Sequence, residues 1–288
     1  MRVGLKLNAA GLTNTGLVRG NNEDSIFYLA VDDVGGVPIG LFMVADGVGG
    51  HLAGELASRW AVSAARAALR DLFAPHDTAQ TQPLDPSRAP TRPLGPSGSS
   101  AATIRAPAGH SLRDRVMHAV QAANRAVYDN AQRYPDEAGN AGTTMTMALV
   151  RGDQAVIANV GDSRTYLLRG DDVIQITTDH SLIAGLVKSG TVKPEESYTH
   201  PVRSVIVRSL GHEAHVDVDV FEERLQPGDT LLLCSDGLWE MLRSSGRIAE
   251  IARRAATPLE ACRDLIDAAN AAGGQDNISV IVVRVESA

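Results

Sequence analysis

Hydrophobic and polar positions along this chain change period several times, and each change marks an element. Apolar runs or alternations over about 2–9, 25–31, 38–45, 143–150, 154–160, 164–169, 173–176, 215–222, 229–235 and 277–285 read as strands. Two stretches instead repeat with the helical period. In about 51–73, Leu52, Leu56, Trp60 and Ala64 form one stripe, and in about 111–134 Leu112, Val116, Ala119, Ala123 and Val127 do the same. A later helical pair covers about 246–256 and 258–272. Helix signals sharpen these boundaries. Ser111 with Asp114 three residues on resembles a capping box. Thr257, Pro258 and Glu260 open the last helix, and Gly273-Gly274 stop it. The order is strands, two helices, strands, two helices, last strand. Every apolar face is covered if two antiparallel sheets pack face to face with a helix pair outside each, an α+β, four-layer αββα sandwich.

Composition changes this picture at one place. Pro75, Pro83, Pro86, Pro90, Pro93, Pro96 and Pro107 crowd together with Ser97, Gly98, Ser99 and Ser100. Such a stretch buries too little apolar surface to offset its ordering entropy, so 75–109 is expected to be a disordered insertion between two helices of a single domain spanning 1–288. With 288 residues, 44% of them hydrophobic, that domain has material for a sizeable core. A net charge of −7 argues against nucleic acid as a partner. Two cysteines make no disulfide framework, and no apolar run reaches the roughly 18 residues of a membrane span. The N-terminus lacks the apolar block of a signal peptide. A cytoplasmic monomer is the expectation.

The chemistry is concentrated at strand ends. The run IGLFMVADG ends on Asp46-Gly47, and TLLLCSDG ends on Asp236-Gly237. Asp162 is expected at the turn of a strand pair, QAVIANVGDSRTYLL, and Asp276 immediately precedes NISVIVVRV. One Asp-Gly alone is usually a turn. Several acids at the mouths of buried strands need a positive partner, because two carboxylates about 5 Å apart repel by roughly 3 kcal/mol at an effective dielectric near 20. Oxygen donors without His or Cys favour Mg²⁺ or Mn²⁺ over Zn²⁺. Two such ions can share a bridging water and lower its pKa from 15.7 toward about 7, providing hydroxide. Upstream, the segment 17–25 adds Arg19, suited to hold a phosphate, and Glu23 and Asp24, suited to hold metal-bound waters. A cysteine-based phosphatase is excluded: the residues six beyond Cys234 and Cys262 are Glu240 and Ala268, not the arginine it needs. No GxxxxGK[ST] loop is present, which argues against an NTPase.

The ordered set VRGNNEDS (18–25), VADGVGGH (44–51), GTT (142–144), NVGDSR (159–164), TTDHS (177–181), CSDGLWE (234–240) and GGQDNISVIVV (273–283) resembles the metal-dependent Ser/Thr protein phosphatases of the 2C type, bacterial branch. The resemblance implies a two-sheet sandwich flanked by helix pairs and hydrolysis of phosphoserine and phosphothreonine by a metal-bridged hydroxide. It implies that Asp46 bridges two Mn²⁺ or Mg²⁺ ions, that the Gly47 carbonyl ligates one, and that Asp236 and Asp276 hold the other. Asp162, with Asp236, would form a third ion site. Arg19 would bind the substrate phosphate, Glu23 and Asp24 would lie in the outer shell, and Asn277 would support Asp276. Where many relatives have a His after the Asp-Gly pair, this chain has Val48, which leaves His51 as a candidate general acid. Asp179-His180-Ser181 reads as a structural turn. The stretch 182–209 sits where bacterial relatives carry a flap, with Arg203 and Arg208 placed to meet acidic substrate segments. Implied partners are phosphorylated proteins, a bacterial Ser/Thr kinase and its targets; the alternative is a catalytically weak member acting as a regulatory phosphoprotein-binding module.

Overall fold

A computed structural model describes residues 4–32, 35–50, 52–73 and 111–288; the 75–109 insertion lies outside the described residues. The chain runs β1 (Leu5–Asn14), β2 (Ser25–Asp32), β3 (Pro38–Ala45), a short β4 (Gly47–Val48) and α1 (Leu52–Leu69). Next come α2 (Leu112–Arg133), α3 (Pro135–Ala138), β5 (Gly142–Thr143), β6 (Met145–Arg151), β7 (Gln154–Val160), β8 (Arg164–Arg169) and β9 (Asp172–Gln175). The remainder is α4 (Leu182–Lys188), β10 (Asp219–Arg224), β11 (Thr230–Cys234), α5 (Asp236–Leu242), α6 (Ser245–Arg254), α7 (Pro258–Ala271) and β12 (Ile278–Ser287).

The strands form two five-stranded antiparallel sheets, ordered β1-β12-β11-β8-β9 and β10-β7-β6-β3-β2. Alternate residues of the inner strands feed different layers. Phe42, Val44, Ile157, Leu231, Leu233, Ile281 and Val283 meet between the sheets. Met43, Met147 and Ala158 face α1 and α2, while Leu232, Cys234, Val280 and Val282 face α5, α6 and α7. Both faces of each sheet are covered, so β3 is buried at all eight positions and reads as one apolar run rather than an alternation. The expected four-layer αββα sandwich is the observed one. Among the described residues no helix is long and apolar enough to cross a membrane.

Local expectations held where capping chemistry was explicit. The capping boxes Ser111/Asp114 and Thr257/Glu260 are both formed. The stripe on α1 is shifted, however. Its buried face is Ala53, Leu56, Ala57, Ala61, Ala65 and Leu69, while Leu52 is 42% exposed and Trp60 and Ala64 are only half-buried. Small alanines let the helix lie close to the sheet and to α2, so size was a poor guide to the inward side. Among the described residues the first strand, Leu5–Asn14, ends later than its apolar alternation suggested, because the whole of it pairs with β12. The strand expected over 215–222 is β10, Asp219–Arg224, set by its register on β7.

Register also gathers the loops. Val44 lies opposite Thr146, and Val160 opposite Met145, so β3 and β7 end where β6 begins. In the other sheet Cys234 lies opposite both Val280 and Arg164, so β11 ends where β12 and β8 begin. The chain crosses between sheets at Gly161–Ser163. Asp162 therefore does not sit in a hairpin: β7 and β8 belong to different sheets, and the acid stands at the crossover, on the end of the sandwich where Asp46, Asp236 and Asp276 also emerge.

Candidate metal centre

Asp46 leaves β3 with both backbone groups tied to the GTT segment. Its N–H donates to Thr144 Oγ1 at 3.0 Å, and its carbonyl accepts from Thr144 N–H and Thr143 Oγ1, each at 2.8 Å. At Gly47 three segments converge: a Cβ there would lie 2.2 Å from the Gly54 carbonyl oxygen and 2.7 Å from that of Glu23. Asp236 is the first residue of α5 rather than the last of a strand. The following glycine lets two backbones touch, since a Cβ on Gly237 would sit 2.1 Å from the Asn277 carbonyl oxygen. This contact brings Asp236 beside Asp276.

Asn277 knots the preceding loop to the site. Its amide donates to the carbonyls of Thr15 and Asn21, both at 2.9 Å, and its oxygen accepts the Glu23 N–H at 2.7 Å. Arg19, held in that loop, donates to Asp276 Oδ2 at 2.6 Å while its own side chain stays 52% exposed. The Glu23 carboxylate packs over Gly54, where a Cβ would meet it. Asp24 is buried and accepts a hydrogen bond from Ser235 Oγ at 2.8 Å. Asp162 is buried as well, and Trp239 Nε1 donates to its carbonyl at 3.0 Å.

The electrostatics of this cluster are strongly unfavourable to its own charge. Burial, reinforced by neighbouring carboxylates, pushes the Asp24 and Asp162 carboxyls up to about 7. Burial raises Asp46 and Asp236 well above the usual carboxylate range, Asp46 being repelled by Asp24, Asp236, Asp162 and Asp276. Asp46 and Asp236 keep part of their surface open, yet their carboxyls lie deep among protein atoms. Three buried carboxylate oxygens, Oδ1 of Asp24, Asp162 and Asp236, have no hydrogen-bond partner. An acceptor left unpaired in the interior costs about 1–3 kcal/mol, which a cation would relieve. The donor set is all oxygen, and it fits Mg²⁺ or Mn²⁺. Among the described residues no three His, Cys, Asp or Glu side chains close on one point as a ready-made cage. Carbonyls and waters would complete the coordination, as they usually do for hard cations.

Other residues quoted within the motifs turn out to build the walls. Arg164 forks onto Asp179 at 2.6–3.1 Å and stacks over the Trp239 ring at 3.5 Å. Thr144 and Ser163 hydroxyls bond across the two sheets at 2.7 Å, as do those of Thr146 and Thr165. Ser235, Trp239 and Thr144 fall within the quoted motifs, but nothing in the sequence gave any of them a role of its own. Arg208, expected to face substrate, is paired with Asp219 at 2.9 Å, and Arg203 lies 3.6 Å from Glu240. The turn at Asp179-His180-Ser181 is structural as expected, with Ser181 capping α4. Between α4 and Trp239 opens a cleft of about 440 Å³ whose walls include Arg164, Ile183, Tyr198, Arg203 and Glu240. His51 lies outside the described residues.

Comparison with known proteins places this geometry. The profile of the Protein phosphatase 2C family matches residues 19–271. The chain is 34% identical to the serine/threonine phosphatase stp of Listeria innocua over 278 residues, covering 96% of each. It is 35% identical to the serine/threonine protein phosphatase PstP of Mycobacterium tuberculosis over 290 residues, 99% of this chain but 46% of that protein. The crystal structure of the catalytic domain of PstP in complex with two manganese ions superposes with a TM-score of 0.73 at 33% identity, covering 98% of this chain and 99% of that one.

Proposed function

The chain belongs to the protein phosphatase 2C family, and we propose that it removes phosphate from phosphoserine and phosphothreonine in proteins at the carboxylate cluster between its sheets. The observation that carries this reading is the set of orphaned buried oxygens on Asp24, Asp162 and Asp236, grouped with Asp46 at one end of the sandwich. Asp46 would serve both of two Mn²⁺ or Mg²⁺ ions, with the Gly47 carbonyl on one and Asp236 and Asp276 on the other. Asp162, with Asp236, would hold a third, weaker ion. Bound there, such ions supply a water of lowered pKa and offset charge on the transferring phosphoryl group.

The chain's own residues do the rest. Arg19 is fastened at one nitrogen by Asp276, which leaves further donors of its planar fork for two phosphate oxygens. Asn277 fixes the loop that carries Arg19, so the guanidinium need not be ordered when substrate arrives. Glu23 and Asp24 would orient ion-bound waters. Neither cysteine serves as a nucleophile: both are buried, and burial pushes the Cys262 thiol up to about 12 and Cys234 higher still. On this reading water attacks phosphorus directly, without a phosphoenzyme. The binding-module alternative loses ground because Asp46, Asp236 and Asp276 are all present and brought together. We read the whole chain as one phosphatase domain, a cytoplasmic monomer that reverses a bacterial Ser/Thr kinase.

Purified protein should hydrolyse a phosphothreonine peptide with Mn²⁺ or Mg²⁺ and stop in excess EDTA. Asp46→Asn should lose on the order of 100-fold or more in rate. Full turnover in EDTA, or an active Asp46→Asn protein, would contradict the reading.

A further inference from the structure

His180 occupies a position that neither the proposed ion ligands nor Arg19 explains. It is 7% exposed and lies where four segments meet. Its backbone N–H donates to the Gly161 carbonyl at 2.9 Å, and its Nδ1 accepts the N–H of the same glycine at 3.1 Å. Gly161 turns the corner between sheets with φ of 101°, and a Cβ there would strike Thr144 at 2.6 Å. The next residue is Asp162. On the far side of the ring, Nε2 lies 3.0 Å from Arg208 Nη1 and 3.3 Å from Asp219 Oδ2. With Nδ1 accepting, the neutral ring carries its proton on Nε2 and donates it to Asp219. The His180 carbonyl accepts the Val207 N–H at 2.8 Å, and Ser181 both caps α4 and bridges to Ile206. His180 and Ser181 thus fasten both ends of the 182–207 segment, and His180 also holds the corner that carries Asp162.

We propose that His180 is a positioning residue, which holds the Gly161 corner so that Asp162 presents its carboxylate toward Asp236 and which ties that corner to the base of the 182–207 segment. The inference rests on the assignment of Asp162 to the weaker ion site. The two ring nitrogens can be replaced separately. Asparagine places an acceptor oxygen where Nδ1 lies, and glutamine reaches the position of Nε2 but leaves Gly161 without its acceptor.

The test is Mn²⁺ binding by calorimetry on the full chain without substrate, with the melting temperature measured alongside, for His180→Asn, His180→Gln and Asp162→Asn. His180→Gln should weaken the weaker class of Mn²⁺ sites by about 10- to 100-fold, the usual effect of removing a group that orients a ligand. His180→Asn should stay close to the parent, and Asp162→Asn should lose that class. If Asp162→Asn weakens binding while His180→Gln does not, the positioning role is overturned and the ion site stands. If Asp162→Asn changes nothing, the ion site is overturned and the inference with it. Should His180→Gln fail to fold, His180→Asn still decides: a folded protein that has lost the weaker sites contradicts the role of Nδ1.

Discussion

At the scale of single residues, the site depends on contacts too close for any side chain and on charges that oppose one another. Gly47 and Gly237 each stand where a Cβ would fall about 2 Å from a neighbouring carbonyl oxygen (2.2 and 2.1 Å), which is why an acid at each place is followed by glycine. That much was legible in the sequence, because Asp-Gly at the end of an apolar run is itself an unusual juxtaposition. The pairing of Arg19 with Asp276 was not, since 257 residues separate them and only the fold supplies the meeting. Arg19→Ala should lower kcat/KM by about 1.5–3 kcal/mol, the range for a hydrogen bond to a charged group, and should leave Mn²⁺ binding in place. An unchanged kcat/KM on a phosphopeptide would remove Arg19 from the phosphate site.

At the scale of elements, periodicity gave the strands and helices but not their partners. The sequence GDSR between two strands looked like a hairpin, because nothing local distinguishes a tight turn from a crossover between sheets. The distinction lies in the apolar faces: β7 packs its Ala158 toward α2 and its Ile157 inward, while β8 sends Leu167 inward from the opposite layer. Buried hydroxyl pairs then strap the two layers beside the site, Thr144 to Ser163 and Thr146 to Thr165. Thr146→Val should cost about 1–3 kcal/mol in unfolding free energy, because it strands the Thr165 hydroxyl. Adding Thr165→Val should recover most of that loss. Denaturant titration of the three variants checks the coupling, and strictly additive losses would show that the pair is no strut.

At the scale of the whole molecule, the sandwich assembles mutually repelling acids at one end, and its stability should depend on pH accordingly. The Asp24 and Asp162 carboxyls ionise near about 7 in the folded chain against an ordinary 3.8. Between those values the folded state holds protons that the unfolded chain has released, so stability falls as pH rises from about 4 to about 7 and then levels off. Asp46 and Asp236 act in the same direction. Cations bind the ionised carboxylates, so their affinity should grow over the same window. Thermal midpoints should therefore show a Mn²⁺ increment that is small near about pH 5 and larger near about pH 7.5, and an equal increment at both would contradict the linkage.

Asp46, Asp236 and Asp276, brought from three distant segments, should form one paired-ion site. Crystals grown with Mn²⁺ and measured at the manganese absorption edge test it most directly. Two adjacent anomalous peaks against Asp46, Asp236 and Asp276 are the predicted result; manganese elsewhere, or none at these carboxylates, would contradict it.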